Sequence, residues 1–370
     1  MAVPDASPFQ WQRWIGPVLI GSTAALGIGW WGLQQEVIDP ATQQTVSSMQ
    51  LLRGFQWNSR TLFASLGLLG CIVLRDVGYM YRLRVLTNGS MRWRQCFDSI
   101  VLWELSSALT PSVVGGSAAA VWILKREGMR WGKSLATVFA TALMDELFYL
   151  IAVPVMFGIA AISGHSVFPE FNSAMPELVA SVPVLFGLAY AVIAALTSII
   201  LYALILRPEK TFRWITSCGN RRIFRRWKQS IDAWARDLRE ASKTLKIAKP
   251  TFWIRAFLAT CVSWSARFLS LNMIFLIFYS SVPHAALLAR QLVLWLLLMI
   301  SPTPGSAGAA ELGLPALTSD LIGIAYLAIV VLIWRLATYF LYLIMGAFVL
   351  PHWLLKTRNS ESVREPFIAP

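Results

Sequence analysis

Charge is scarce in this sequence, and histidine and cysteine are nearly absent. Charged residues make up 14% of the 370, where an ordinary soluble domain carries roughly 25%. Hydrophobic residues make up 56%, and the mean hydropathy is +0.59. Too few polar side chains exist to cover a water-soluble globule of this length. Three His stand far apart at 165, 284 and 352, and four Cys include no Cys-x-x-Cys pair. Neither a metal centre nor a disulfide scaffold is expected from such spacing. The His-Glu-x-x-His, Gly-x-Ser-x-Gly and Gly-x-x-x-x-Gly-Lys-Ser/Thr signatures are missing too. The longest polar segment, 207–255, is too short for a nucleotide-binding domain. No enzyme and no cofactor is expected; an all-α integral membrane protein is.

Crossing ~30 Å of hydrocarbon takes ~20 apolar residues in a helix. Six stretches qualify: 16–33, 61–81, 137–162, 182–206, 256–282 and 321–350. The first reads as a retained span, because Asp5 offsets Arg13 and no small-x-small cleavage site follows. Two further apolar regions, 99–124 and 291–317, are each broken midway by a Pro/Gly cluster. Their arms reach past the bilayer midplane but not across it, so both are expected to be re-entrant hairpins.

The basic residues test this map. With a cytoplasmic N-terminus and both hairpins returning to their own side, 26 of the 32 Lys and Arg fall on cytoplasmic segments. Only Arg53, Arg60 and Arg290 fall outside, and Arg75, Arg267 and Arg335 lie within spans. If either broken region crossed fully, this bias would collapse. The resulting order is span, span, hairpin, span, given twice in opposite orientation, which is an inverted-topology repeat. Both tips read Pro-x-x-x-Gly: Pro111 to Gly115, and Pro304 to Gly308. The expected units are 1–206, holding the first repeat and the opening span of the second; the basic linker 207–255; 256–350, completing the second repeat; and a cytoplasmic tail, 351–370. Both termini are expected in the cytoplasm, and the protein in the inner or plasma membrane.

Within the linker, 221–246 repeats apolar residues every three or four positions and carries nine basic against three acidic side chains. Such a helix suits an anionic membrane surface. A linker helix packed beneath the bundle is the alternative, and nucleic acid is not expected as a partner. A homodimer is left open.

A charge held in hydrocarbon is costly, so each one is a functional candidate. These are Asp145 and Glu146 in the third span, Arg267 in the fifth, Arg335 in the last, and Glu104 and Glu311 in the hairpins. An internal ion-pair network is the alternative reading of the same residues. Arg75 and Asp76, near a span end, read as snorkelling anchors. A chain that reverses within a membrane must line a wet cavity or be buried in protein. The helix after each tip starts with free N–H groups and a partial positive charge. Gly115, Gly116, Gly305 and Gly308, with Pro111, Pro302 and Pro304 shaping the turns, would let a ligand approach the backbone. Two such N-termini beside Arg267 and Arg335 suit a phosphate, and here the obvious phosphate belongs to a lipid headgroup. A purely structural hairpin remains the alternative.

The stretch Leu298-Met-Ile-Ser-Pro-Thr-Pro-Gly-Ser-Ala-Gly-Ala-Ala-Glu311 resembles the lysylphosphatidylglycerol synthase transmembrane-region family, which carries Pro-Thr-Pro-Gly-x-x-Gly-x-x-Glu late in the chain. Similar echoes are Pro111 to Gly115 followed by Lys125-Arg126-Glu127-Gly128, Asp145 in the third span, and Trp334-Arg335 to Tyr339 with Gly346. The resemblance covers roughly residues 60–350. It departs at the first tip, where Gly-Gly-Ser stands in place of an Arg and an acidic residue. No stretch corresponds to the soluble aminoacyl-transferase domain of the full-length synthases. The resemblance therefore implies a flippase that translocates a phosphate-bearing lipid, aminoacylated or polyprenyl-linked among the options, without synthesising it. An ion-coupled transporter of a small soluble anion and a non-transporting scaffold are the rivals.

Overall fold

The computed structural model describes residues 12–39, 43–110, 113–168, 176–220, 228–246, 249–299, 301, 303–322 and 325–362. It is helical almost throughout. Helix α1 spans Gln12–Gln34 and leads into a small hairpin, β1 (Glu36–Ile38) antiparallel to β2 (Thr45–Ser47), and a short α2 (Ser48–Arg53). That hairpin is a feature the hydropathy pattern does not reveal. The long helices are α3 (Ser59–Leu86), α6 (Trp131–Ile162), α7 (Pro176–Leu201) and α10 (Pro250–Phe278). The last run comprises α13 (Leu327–Arg335), a π turn at Leu336–Phe340 and α14 (Leu341–Ser362).

Among the described residues, five helices are long and apolar enough to cross a membrane: Ser59–Leu86, Trp131–Ile162, Ser181–Leu201, Pro250–Phe278 and Leu327–Thr357. The first expected span, α1, has 23 residues and so the length.

Both broken regions fold as two-armed units whose arms pack on each other. The first is α4 (Trp93–Leu109) and α5 (Val113–Arg126); the second is α11 (His284–Met299) and α12 (Ala309–Ile322), joined through a single 3₁₀ turn at Pro304–Ser306. Contact between arms is close. A Cβ on Gly116 would lie 2.2 Å from Ser107 Oγ, and one on Gly313 would lie 2.8 Å from a Leu294 methyl. The arms are longer than the 11 to 13 residues expected, at 17, 14, 16 and 14. The helical ends carry polar side chains such as Arg94 and Asp98, which a hydropathy window discards although nothing there stops a helix. Two other boundaries also differ. Residues 321–322 belong to α12 rather than to the last span, and helix α14 runs through Pro351 into what was expected to be a tail.

Polarity in this bundle is inside out relative to a soluble protein. On α3, Leu62, Phe63, Leu66, Leu69 and Val73 are 56–72% exposed, while Arg75 is 2% and Arg82 5% exposed. That is the pattern for a helix with lipid on one side and a polar interior on the other. Arg75 and Asp76 are therefore not snorkelling anchors. Arg75 lies 3.3 Å from Glu104 and 3.6 Å from Asp76, over the Tyr342 ring at 4.4 Å.

The closest helix contact is between α3 and α10, where small residues let backbones approach. A Cβ on Gly78 would stand 2.3 Å from Ser263 Oγ and 3.3 Å from the Ala259 carbonyl. Gly70, on the same helix, has nothing within 4 Å. Gly78→Val is expected to destabilise the purified protein by about 1–3 kcal/mol through overpacking, whereas Gly70→Val is expected to change little. Thermal unfolding in detergent compares the two; equal midpoints would deny the close contact.

The linker folds as α8 (Pro208–Gly219) and α9 (Lys228–Lys246). The expected start of this helix, 221–227, lies outside the described residues. Helix α9 packs against α6: Leu245 shares a core with Ala136, Ala140 and Leu143, and Glu240 lies against Gly132. Ala235, Ser242 and Leu245 on α9 are buried. This face is covered by protein.

Candidate functional site

A cavity of about 330 Å³ lies among α3, α6, α10, α13 and both two-armed units. Each element delivers its side chains by helical spacing. On α3, Arg75, Tyr79 and Arg82 recur every three or four residues and so share one face; Tyr79 and Arg82 reach the cavity. Glu104 comes from α4, Asp145 and Glu146 from α6, Arg267 from α10 and Arg335 from the end of α13. Gly305 and Ser306 bring the second tip. The walls between these charges are largely aromatic, with Trp103, Trp264, Trp295, Trp334 and Tyr339. Three guanidinium groups and three carboxylates thus meet in one amphipathic space.

The charges are mostly paired, as the ion-pair alternative anticipates. Arg82 grips Asp145 with two guanidinium nitrogens and donates to Thr260 Oγ1 at 3.0 Å. Trp264 Nε1 donates to the same carboxylate at 2.6 Å. Glu146, the next residue, turns to another helix and accepts from Thr197 Oγ1 at 2.9 Å. No Lys or Arg among the described residues lies within ion-pair distance of it. The 100° step between neighbours on a helix explains this split.

Arg267 is the loosest cation. Its nearest carboxylate oxygen, on Glu104, is 3.7 Å away, and Glu104 sits closer to Arg75. It donates to Tyr79 Oη at 3.3 Å and lies over the rings of Trp295 and Trp264, at 4.4 and 5.3 Å. A guanidinium has five donors, so most of those on Arg267 have no acceptor among the described residues.

Arg335 does a different job. Its Nε lies 2.7 Å from Glu311 Oε1, its Nη2 donates to the Gly305 carbonyl at 3.1 Å, and its guanidinium stacks on Tyr339 at 4.3 Å. It clamps the second tip onto the last helix. Gly305 has φ +57, and a Cβ there would lie 2.1 Å from the Tyr339 ring. This glycine is therefore required by packing on Tyr339, and Gly116 by packing on Ser107, rather than by a ligand. Gly308 has φ +84 with open space around it, so only the turn demands it. The free N-terminus expected at α12 is also partly spent: Gly308 N–H donates to Glu311 Oε2 at 2.7 Å. The anion at that helix start is the chain's own carboxylate, and a guest phosphate would have to displace it.

Of the residues singled out in the sequence, Glu104, Asp145, Glu146, Arg267, Gly305 and Arg335 line the cavity. Glu311, Pro304, Gly308 and Gly116 stand outside the lining. Gly115 lies in the first turn of α5. Pro111 and Pro302 lie outside the described residues. Sequence reasoning placed Arg82 in a loop and did not foresee the aromatic walls. The heptad-like spacing of Arg75, Tyr79 and Arg82 was the available signal that α3 continues inward-facing past Tyr81.

The family model described as the lysylphosphatidylglycerol synthase TM region matches residues 18–346. A protein named UPF0104 membrane protein from Archaeoglobus fulgidus is 25% identical over 281 residues, covering 75% of this chain and 82% of that one. No solved structure matches the chain.

Proposed function

We propose that this chain, which belongs to the lysylphosphatidylglycerol synthase TM region family, translocates a phosphate-bearing lipid between the leaflets of its membrane. One observation carries the reading. The least-satisfied cation, Arg267, and the carboxylate without a basic partner, Glu146, line the same aromatic-walled cavity. A headgroup with a phosphate and an amine would complement both, with Arg267 taking the phosphate and Glu146 the amine. The aromatic and aliphatic walls suit the start of the acyl chains better than they suit a small hydrated anion. The family name, with its aminoacylated phospholipid, points to the same headgroup chemistry.

In this reading the two hairpins belong to oppositely oriented repeats, and exposure alternates as one repeat rocks against the other. The Arg335–Glu311 clamp moves with the second tip, and the paired Arg82 and Asp145 bound one end of the cavity.

Reconstitution tests this. Vesicles carrying an acyl-labelled fluorescent phosphatidylethanolamine, whose headgroup holds both a phosphate and an amine, in both leaflets lose only their outer-leaflet signal to an impermeant reductant. With the protein present, the inner-leaflet signal is expected to be lost as well, faster than in protein-free vesicles. A signal that stops at the outer leaflet, together with uptake of a soluble phosphate into the same vesicles, would establish the small-anion transporter instead.

A further inference from the structure

Four cations converge on a second cavity at the end of the bundle that carries the basic loops. It has a volume of about 560 Å³. Arg84 comes from the last turn of α3, Lys133 from the first turn of α6, and Lys249 and Arg255 from the start of α10. No Asp or Glu is among the described residues lining it. Nor does any carboxylate among the described residues lie within ion-pair distance of Lys133, Lys249 or Arg255. Arg84 is held by the Met91 carbonyl at 2.8 Å and by the Trp93 ring at 5.1 Å. The other three cations have no such restraint.

The cytoplasmic bias of basic residues requires only that they lie on one face. It does not require that they share one concavity, where like charges repel and an anion relieves them. Two helices also begin within the lining, α6 and α10, and helix starts favour negative charge. The remaining lining includes Val85, Leu86, Leu245 and Phe252, so a charged rim meets an apolar floor. Along α6, Thr137 lines this cavity and Thr141, one turn on, lines the central one.

We propose that this cavity is a binding site for a phosphate-bearing anion, separate from the central cavity. Binding here does not depend on the translocation reading, since it concerns different residues and is measured at equilibrium. Phosphate could be presented by an anionic lipid headgroup or free in solution, and the test separates the two.

The full chain, purified in a neutral detergent, is titrated with phosphatidylglycerol by native mass spectrometry and with inorganic pyrophosphate by calorimetry. Lys249→Gln with Arg255→Gln removes two exposed charges from the rim. Arg94→Gln with Arg213→Gln removes two from outside the cavity and serves as the control. The rim pair is expected to weaken binding about thirtyfold, and the control pair to leave it within about twofold. Loss confined to phosphatidylglycerol identifies a lipid headgroup as the source; loss confined to pyrophosphate identifies a soluble phosphate. Equal weakening by both pairs, or no weakening of either ligand by the rim pair, would overturn the site and leave only a diffuse basic face.

Discussion

Arg335→Ala is expected to lower the stability of the folded protein by about 3–5 kcal/mol, because it strands the Glu311 carboxylate without its cation. Arg335 is 5% and Glu311 3% exposed, so both charges are buried. The substitution also frees the Gly305 carbonyl and removes the guanidinium from the Tyr339 ring. Replacing both partners, as Arg335→Leu with Glu311→Leu, removes both buried charges together. Most of the loss is then expected to return, as it does where apolar residues replace a buried ion pair. Recovery will be incomplete, since Glu311 also accepts from the Gly308 amide and losing such a cap costs about 1 kcal/mol. Thermal unfolding of the two single variants and the double in one detergent completes the cycle. If Arg335→Ala proves as mild as an exposed change such as Arg213→Ala, the clamp is not what holds the second tip.

This expectation differs from the one the sequence alone suggests, and the reason is physical. Hydropathy shows that Arg335 sits within a span, and the cost of burial marks it as important. It does not show whether its donors point at a guest or at the protein. That depends on Glu311 and the Gly305 carbonyl, which lie 24 and 30 residues away along the chain and meet Arg335 only because the 3₁₀ turn at Pro304–Ser306 folds the tip onto α13. The same holds for Asp145 and Glu146. Their separation on the helix was legible, but that Arg82 would claim one and Thr197 the other was not. Arg82 was hidden because a window that averages hydropathy ends a helix where charge begins, at Tyr81. The backbone of α3 continues to Leu86 and carries the charge inward. The two-armed units were legible because Pro and Gly break both apolar runs at their centres. The β1–β2 hairpin, with three residues per strand, is too short to leave a periodic trace.

Arg267 is the complementary case, a half-buried cation whose loss should cost function more than fold. Its nearest carboxylate, Glu104, is better engaged by Arg75, so removing Arg267 strands no charge. Arg267→Gln is therefore expected to keep an unfolding midpoint close to that of the unaltered protein. Lipid translocation should fall by roughly tenfold to a hundredfold, the worth of one hydrogen-bonded contact to a charged group. Arg267→Lys separates charge from geometry. An ammonium keeps the positive charge but cannot stack its plane on Trp295 or offer a planar fork to phosphate. Its rate is expected between those of the Gln variant and the original. The readout is the rate of inner-leaflet signal loss in reconstituted vesicles, measured beside the unfolding midpoint of each variant. Translocation unchanged in Arg267→Gln would take the phosphate away from this residue and return the central cavity to a structural role. A loss of rate that merely tracks a loss of fold would do the same, because Arg267 would then hold the fold, as Arg82 and Arg335 do, rather than a guest.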